Sequence, residues 1–194
     1  MGSLEESSEI IRRTIQESIQ VKEGIVRNMI PEIAQAAGWI VEAYRNGGKL
    51  ILFGNGGSAG DAQHIAAELV GRFERERRAL PAIALTTNTS TLTAIGNDYD
   101  YSKIFSRQVE AWAQPADVVI GISTSGNSPN VLEGIAAAKA KGAKTIGLTG
   151  EKGGKLASQA DLCLKVPSTS TARIQESHIM IGHLLCLLVE QQIS

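Results

Sequence analysis

Short apolar runs that alternate with helical patterns after Gly48 constrain the fold of this chain more than any other feature. Five runs are predicted strands, and several are apolar on both faces, as strands covered by helices on both sides must be. The predicted strands are residues 50–53, 82–85, 118–122, 145–148 and 162–166, and the predicted helices between and after them are about 59–73, 101–112, 130–141 and from 172 onward. This alternation predicts an α/β fold with a doubly wound, five-stranded parallel sheet of the Rossmann-like or flavodoxin-like kind.

Two more helices are predicted ahead of the sheet. Ile11, Ile15 and Ile19 recur every four residues between polar positions, which is the stripe of an amphipathic helix. A second helix is predicted over about residues 31–45, with proline in its first turn and two glycines just past its end. We expect residues 1–48 to pack on the body or on a neighbouring subunit, and residues 49–194 to form the α/β unit, within a single structural domain overall. The closing helix is apolar nearly all the way round, which favours its burial between subunits.

Composition excludes several classes of protein. The 194 residues suit one domain, and 19 basic against 20 acidic residues leave no overall field that would attract nucleic acid or an anionic membrane. The N-terminus lacks the apolar centre of a signal peptide, and no apolar run reaches transmembrane length. Cys163 and Cys186 show no CxxC spacing and are typical of buried thiols in a reducing compartment. We therefore expect a soluble, cytoplasmic protein.

The first candidate binding segment is the glycine-rich turn that follows the first predicted strand. Residues 54–60 read Gly-Asn-Gly-Gly-Ser-Ala-Gly and lead straight into a helix. Glycines permit close approach of a ligand, and the free N–H groups of a helix start favour an anion or hydroxyl oxygens. Asn55, Gly56, Gly57 and Ser58 are therefore candidate substrate-binding residues. The turn is neither GxGxxG nor a Walker loop, and the alternative is an ordinary tight connection.

A second candidate segment follows the third predicted strand. Residues 123–129 read Ser-Thr-Ser-Gly-Asn-Ser-Pro and precede a helix. The hydroxyls of Ser123, Thr124, Ser125 and Ser128, together with the helix N-terminus, could hold a phosphate without lysine or magnesium. The alternative is a plain serine-rich helix cap. Because both turns leave the same edge of a parallel sheet, we expect them to lie side by side at a binding site.

A weaker signal lies between the two turns. Asn97 and Asp98 follow Gly96 and could contact sugar hydroxyls, although Asn-Asp after glycine is also common turn chemistry.

The histidines suggest the chemistry. His64 and Glu68 are four residues apart on one predicted helix, and Gln175 and His183 are eight apart on the last one, roughly 80° from each other around its axis. His178 lies on the other side of Gln175 and is the less compatible companion for His183.

Aldose–ketose isomerisation through an enediol needs one base and one acid across the substrate, and Glu68 and His183 could fill those roles. Two imidazoles, a carboxylate and an amide oxygen could also bind zinc, although an amide is an unusual zinc ligand. The alternatives are a surface His–Glu pair and a core histidine.

Four strings together bring a resemblance to a known family. They are GNGGSAGDAQHIAAEL, LTAIGNDY, ISTSGNSPN and ARIQESHIMIGH, and in this order the chain resembles the phosphoheptose isomerases, which have the sugar-isomerase (SIS) fold. The resemblance implies conversion of sedoheptulose 7-phosphate to D-glycero-D-manno-heptose 7-phosphate, the first step toward ADP-heptose and the heptose of bacterial lipopolysaccharide. It also implies a homotetramer built partly through the N-terminal helices, with active sites near subunit boundaries.

The resemblance assigns roles residue by residue. The implied catalytic pair is Glu68 and His183, and the implied zinc ligands are His64, Glu68, Gln175 and His183. The implied substrate-binding residues are Asn55, Gly56, Gly57, Ser58, Glu68, Asn97, Asp98, Ser123, Thr124, Ser125, Ser128 and Gln175. One position departs from the pattern, because Ala172 stands where some relatives carry an aspartate.

Two non-enzymatic alternatives share the same fold. A replication-initiator-associating relative binds a protein partner and resembles this chain over residues 172–176, but it lacks the acid–base pair that Glu68 and His183 would form here. A regulator that senses a sugar phosphate would usually carry a DNA-binding segment, for which this chain has no room.

Overall fold

The five predicted strands form one parallel sheet in the computed structural model, which describes residues 4–193. The strands are β1 (Leu50–Gly54), β2 (Ala82–Ala84), β3 (Val118–Ile122), β4 (Lys144–Gly150) and β5 (Leu162–Val166). Their order across the sheet is β2-β1-β3-β4-β5, with every neighbouring pair parallel. This is the order of flavodoxin-like doubly wound sheets, so the predicted fold class is confirmed.

Helices precede the sheet and cover both of its faces. They are α1 (Leu4–Asn28), α2 (Ile30–Arg45), α3 (Gly57–Val70), α4 (Thr89–Asp98), α5 (Ser106–Trp112), α6 (Pro129–Ala140), α7 (Leu156–Gln159) and α8 (Thr171–Gln192), with a 3-10 turn at Tyr101–Lys103. The two predicted N-terminal helices are present, and the predicted helices 59–73, 130–141 and 172 onward correspond to α3, α6 and α8.

Two segments differ from the prediction. The stretch predicted as a helix over 101–112 is broken into the 3-10 turn and α5. The Asp100 side chain begins the 3-10 turn by accepting a hydrogen bond from the Ser102 N–H. The stretch around Asn97, considered above as a turn, instead ends α4. The side chain of Asn88 starts that helix by accepting from the Thr91 N–H, 3.0 Å away.

Alternate side chains of each central strand enter two separate cores. Leu50 and Leu52 pack with α2, α3 and α8 on one face, whereas Ile51 and Phe53 pack with α5 and α6 on the other. The Phe53 ring stacks on Phe105 with centroids 5.0 Å apart. The two-sided apolar character of the strands therefore has the physical origin expected of a sheet covered on both faces.

The first and last helices bury their apolar residues differently. In α1 the stripe of Ile11, Ile15 and Ile19 is about half exposed, at 59%, 55% and 49%. In α8 the apolar residues from Ile174 onward are buried or partly buried, and those left only partly buried are Ile179, Met180, Leu184, Leu187 and Leu188. Further burial of α8 between subunits stays a prediction. No helix among residues 4–193 is long and apolar enough to cross a membrane.

Candidate active site

The two predicted binding turns leave the sheet side by side. In the parallel register Gly54, the last residue of β1, lies opposite Ile122, the last residue of β3. In the first turn Gly56 has a φ of +55°, in the region that favours glycine, and α3 begins at the next residue. A Cβ on Gly57 would lie 2.5 Å from Nε2 of Gln175, so the Gln175 side chain from α8 lies directly over this turn.

The second turn carries a cluster of hydroxyls. The Oγ atoms of Ser123 and Ser128 are 2.9 Å apart, and the Oγ of Ser125 lies 3.4 Å from that of Ser123. Gly126 at the tip has a φ of +66°, and a Cβ there would lie 2.0 Å from the carbonyl oxygen of Gly153, so the close approach of these two loops requires glycine. Helix α6 begins immediately after the turn with Pro129. The hydroxyls thus converge on one spot beside the start of α6, where the positive end of the helix dipole favours an oxyanion.

A cavity of about 270 Å³ opens beside this turn. Thr124 and Ser125 form one wall, and the start of α8 with Thr171 and Ile174 forms another. Ala172 is exposed at this end of α8.

A pair of amides joins the two turns. The Asn55 Nδ2 donates to Oδ1 of Asn130 at 2.9 Å, and the Asn130 Nδ2 donates back to Oδ1 of Asn55 at 2.8 Å. Asn130 is 2% exposed, and the Tyr101 hydroxyl lies 3.4 Å from the same Asn55 oxygen. Sequence reasoning missed Asn130, although a polar residue in the first turn of a helix that follows a candidate binding turn was an available signal.

His64, Glu68 and His183 come together from two helices. The His64 Nε2 is 3.1 Å from Oε1 of Glu68 within α3, and it is 3.0 Å from Nε2 of His183 in α8. One candidate ligand atom from each of the three residues lies within 4.8 Å of the others. Glu68 and His183 are partly exposed and His64 is exposed. The two helices thus present a carboxylate and two imidazoles to the same accessible spot.

The donor set of this cluster fits a metal ion. Imidazole nitrogen and carboxylate oxygen are common zinc ligands, and three such atoms within 4.8 Å can share one ion. The site also fits proton transfer without an ion, because a carboxylate and an imidazole are within hydrogen-bond reach of a common partner.

Phe73 is a further residue of the site that sequence reasoning missed. Its ring lies 5.5 Å from the His183 ring, centroid to centroid, at an interplanar angle of 30°. The residue sits in the loop after α3, where no periodic pattern indicates which way a side chain points.

His178 and Asp61 lie on the same two helices but outside the cluster. His178 is fully buried, with Nε2 3.2 Å from the carbonyl oxygen of Thr149. Burial lowers the pKa of His178 to about 4, although the hydrogen bond to Thr149 acts in the opposite direction. Burial also raises the pKa of Asp61, one turn before His64, to about 6, and the nearby His64 opposes that rise.

Asn97 and Asp98 are exposed and bond to each other. The Asn97 Nδ2 donates to Oδ1 of Asp98 at 2.9 Å. Among residues 4–193, no hydrogen bond joins either side chain to the two turns or to the histidine cluster. Their assignment to substrate binding stays a prediction.

Comparison with known proteins places this site in a class. Residues 15–150 match the SIS domain family. This match, together with the doubly wound sheet and the polar turns at its carboxyl edge, identifies the chain as a SIS-domain protein.

Close relatives narrow the class further. The chain is 56% identical over 185 residues to the phosphoheptose isomerase of Aquifex aeolicus, covering 95% of this chain and 97% of that protein. It is 61% identical over 160 residues to the phosphoheptose isomerase of Rhodospirillum rubrum, covering 82% of this chain and 85% of that protein. A solved phosphoheptose isomerase from Neisseria gonorrhoeae superposes with a TM-score of 0.90 at 44% identity, covering 95% and 98% of the two chains. The chain belongs to the phosphoheptose isomerase family, which confirms the resemblance seen in its motifs.

Proposed function

We propose that this protein is a sugar-phosphate isomerase that interconverts sedoheptulose 7-phosphate and D-glycero-D-manno-heptose 7-phosphate. The observation that carries the proposal is the convergence of Glu68 from α3 and His183 from α8, both within 3.1 Å of His64, on two helices that begin at the carboxyl edge of the sheet. The relatives described above are named as isomerases, which supports an enzyme over a protein that only binds a partner. The reaction would supply heptose phosphate for ADP-heptose and lipopolysaccharide synthesis.

The second turn would hold the phosphate. Ser123, Ser125 and Ser128 present hydroxyls, and α6 presents the positive end of its dipole. The first turn, with Asn55 and the Gln175 side chain over Gly57, would hold the hydroxyls near the reacting carbons. Binding the phosphate at a distance from the reacting carbons fixes the sugar in one orientation, which lowers the entropic barrier to proton transfer.

Glu68 and His183 would move the protons. One group removes the proton from the carbon next to the carbonyl, while the other protonates the carbonyl oxygen, which gives a neutral enediol. The reverse pair of transfers, to and from the adjacent carbon and oxygen, completes the isomerisation. Since the two residues come from different helices, they can approach the substrate from different directions.

The proposed bound metal is zinc. His64, Glu68 and His183 would hold it, with Gln175 as the fourth ligand. When bound, the ion would polarise the carbonyl and stabilise the oxygens of the enediol.

We further propose a cytoplasmic homotetramer. The half-exposed stripe of Ile11, Ile15 and Ile19 is an apolar surface that a second copy of α1 would cover. Cys163 and Cys186 are both free, which fits a reducing compartment.

Turnover by the purified protein tests the proposal. Incubation with sedoheptulose 7-phosphate in D₂O should yield the aldoheptose 7-phosphate, with deuterium at the carbon that receives the proton, as observed by NMR. A preparation that leaves the ketose unchanged, with and without added zinc, would contradict the proposed function. Metal analysis after purification without chelator tests the zinc assignment, and mass measurement in solution tests the tetramer.

A further inference from the structure

A buried ion pair joins the two helices that carry the proposed acid and base. The side chains of Arg77, in the loop after α3, and Glu190, in α8, are 5% and 1% exposed, with Nε 3.1 Å from Oε1. Glu190 lies seven residues, or two helical turns, after His183. We propose that this pair is a positioning device that fixes Glu68 and His183 relative to each other. The proposal rests on the proposed isomerase function.

The arginine holds the end of α3 that carries Glu68. Its guanidinium donates to the carbonyl oxygen of Glu68 at 2.9 Å and to that of Leu69 at 2.8 Å. A further bond of 3.2 Å reaches the carbonyl oxygen of Gly71. The last carbonyls of a helix have no partner within it, so an arginine that collects them also fixes the last turn in place. The backbone of Glu68 itself is thus held by Arg77.

The glutamate holds the loop that packs on His183. Its carboxylate accepts hydrogen bonds from three successive N–H groups, those of Phe73 at 3.1 Å, Glu74 at 2.8 Å and Arg75 at 2.9 Å. Burial alone would raise the pKa of Glu190, but these three bonds and Arg77 outweigh it and hold that pKa below its usual range. The carboxylate is therefore ionised at neutral pH. It fixes the backbone of Phe73, whose ring lies against the His183 ring.

One ion pair therefore acts on both members of the proposed acid–base pair. It reaches Glu68 through a carbonyl and His183 through the Phe73 ring, and it spans the gap between α3 and α8. Proton transfer requires donor and acceptor within hydrogen-bond reach, and a displacement of about 1 Å can lower the rate about 100-fold. A pair that served stability alone would change the melting temperature on mutation and leave the chemical step unchanged.

The test compares Glu190→Gln with a matched variant at a second buried carboxylate. Glutamine keeps the size and an acceptor oxygen but removes the charge that faces Arg77. Asp117 is equally buried, 1% exposed, and accepts from two backbone N–H groups and from the ammonium of Lys49, so Asp117→Asn weakens a similar set of contacts, none of which involves α3 or α8. Both variants should melt at lower temperature. Only Glu190→Gln should lower kcat, by about tenfold or more, with KM within about threefold of the wild type.

Histidine NMR supplies a second measurement that does not depend on turnover. The chain has three histidines, so the ring signals of protein labelled at histidine are few enough to assign. Glu190→Gln should move the signals of His64 and His183 and leave that of His178 in place, and Asp117→Asn should move none of the three. If the wild type does not isomerise sedoheptulose 7-phosphate, the proposed function fails, and these shifts alone then decide the positioning role.

A purely structural role for the ion pair would give different results. Wild-type kcat together with unmoved His64 and His183 signals in Glu190→Gln would show a purely structural pair. If Glu190→Gln does not fold, Phe73→Leu decides, because it removes the ring beside His183 and leaves the ion pair intact. The positioning role predicts lower kcat and a shifted His183 signal in that variant, and wild-type values for both would overturn it.

Discussion

Two polar clusters of the molecule satisfy their hydrogen bonds in opposite ways. In the first, at the amino edge of the sheet, the Asp117 carboxylate is buried and accepts from the Lys49 N–H at 2.9 Å, the Lys49 ammonium at 2.7 Å and the Gln114 N–H at 2.8 Å. In the second, between α3 and α8, His64, Glu68 and His183 bond mainly to one another and stay accessible to solvent. Groups satisfied within the chain contribute stability, whereas groups that keep hydrogen-bonding capacity at an accessible surface can act on a ligand.

The same contrast occurs within one helix. His178 and His183 are five residues apart in α8, yet the first is fully buried against Thr149 and the second is partly exposed beside His64. Residue type alone therefore does not indicate which histidine does chemistry.

Removing the carboxylate of the accessible cluster between α3 and α8 should have the largest effect. Glu68→Gln should lower kcat about 1,000-fold, because loss of a general acid or base typically costs between about 100-fold and 10,000-fold. The melting temperature should change little, since the Glu68 side chain is already 26% exposed. Steady-state kinetics and thermal melting measure the two effects. Glu76→Gln, in a side chain 91% exposed in the following loop, is the matched control and should behave like the wild type. Undiminished turnover in Glu68→Gln would remove the contrast between the two clusters.

Lowering the pH should decrease the free energy of unfolding through the buried His178. The pKa of His178 is about 4 in the folded chain against about 6.5 when unfolded, so the unfolded state binds the extra proton first as the pH falls. The stability that neutral His178 contributes is therefore complete above pH 6.5 and is lost between about pH 6.5 and pH 4, with a total of about 3 kcal/mol.

The variant His178→Gln isolates this contribution. Its free energy of unfolding, measured by urea at fixed protein concentration, should differ from that of the wild type most at pH 7, and the difference should shrink as the pH falls to 4. The raised pKa of Asp61 acts in the opposite direction, because a protonated folded state gains stability below about pH 6, but it is present in both proteins and cancels in the difference. A difference independent of pH would contradict the assignment.

A change at the amino edge should lower stability and leave catalysis intact. Lys49→Met removes the ammonium 2.7 Å from the Asp117 carboxylate, so a buried charge keeps only its backbone N–H partners. The free energy of unfolding should fall by about 1–3 kcal/mol. Urea denaturation measures this, while kcat at 25 °C should equal that of the wild type. A lower kcat in a protein of unchanged stability would be evidence against the division of roles between the two clusters.

The smallest effect concerns the amide pair between the two turns. Asn130→Ala removes both hydrogen bonds that orient the Asn55 amide, which should raise KM about tenfold or less with a smaller effect on kcat. Asn130→Asp tests the geometry, because a carboxylate can accept from Asn55 Nδ2 but repels its Oδ1, so its KM should rise at least as much. Wild-type KM in both variants would show that the pair does not orient a substrate-binding group.

The sequence supported the fold and the local motifs because both depend on short-range patterns. All five strands were predicted within a few residues, since apolar runs such as Val118–Ile122 are needed wherever a strand is covered on both faces. The positions of the two glycine- and serine-rich turns were also predictable, because a strand–turn–helix segment of this kind lies at the carboxyl edge whatever its surroundings. Helix α4 was missed because its apolar positions, such as Leu92 and Ile95, are few and only partly buried.

The sequence by itself determined the parallel sheet, the two turns at one edge and the chemical groups available there. Only the tertiary structure decided that Asn130 pairs with Asn55, that Phe73 lies on His183, and that Arg77 and Glu190 join α3 to α8. The physical reason is distance along the chain. Periodicity and capping act over a few residues, whereas Arg77 and Glu190 are 113 positions apart and meet only because the sheet brings α3 and α8 together.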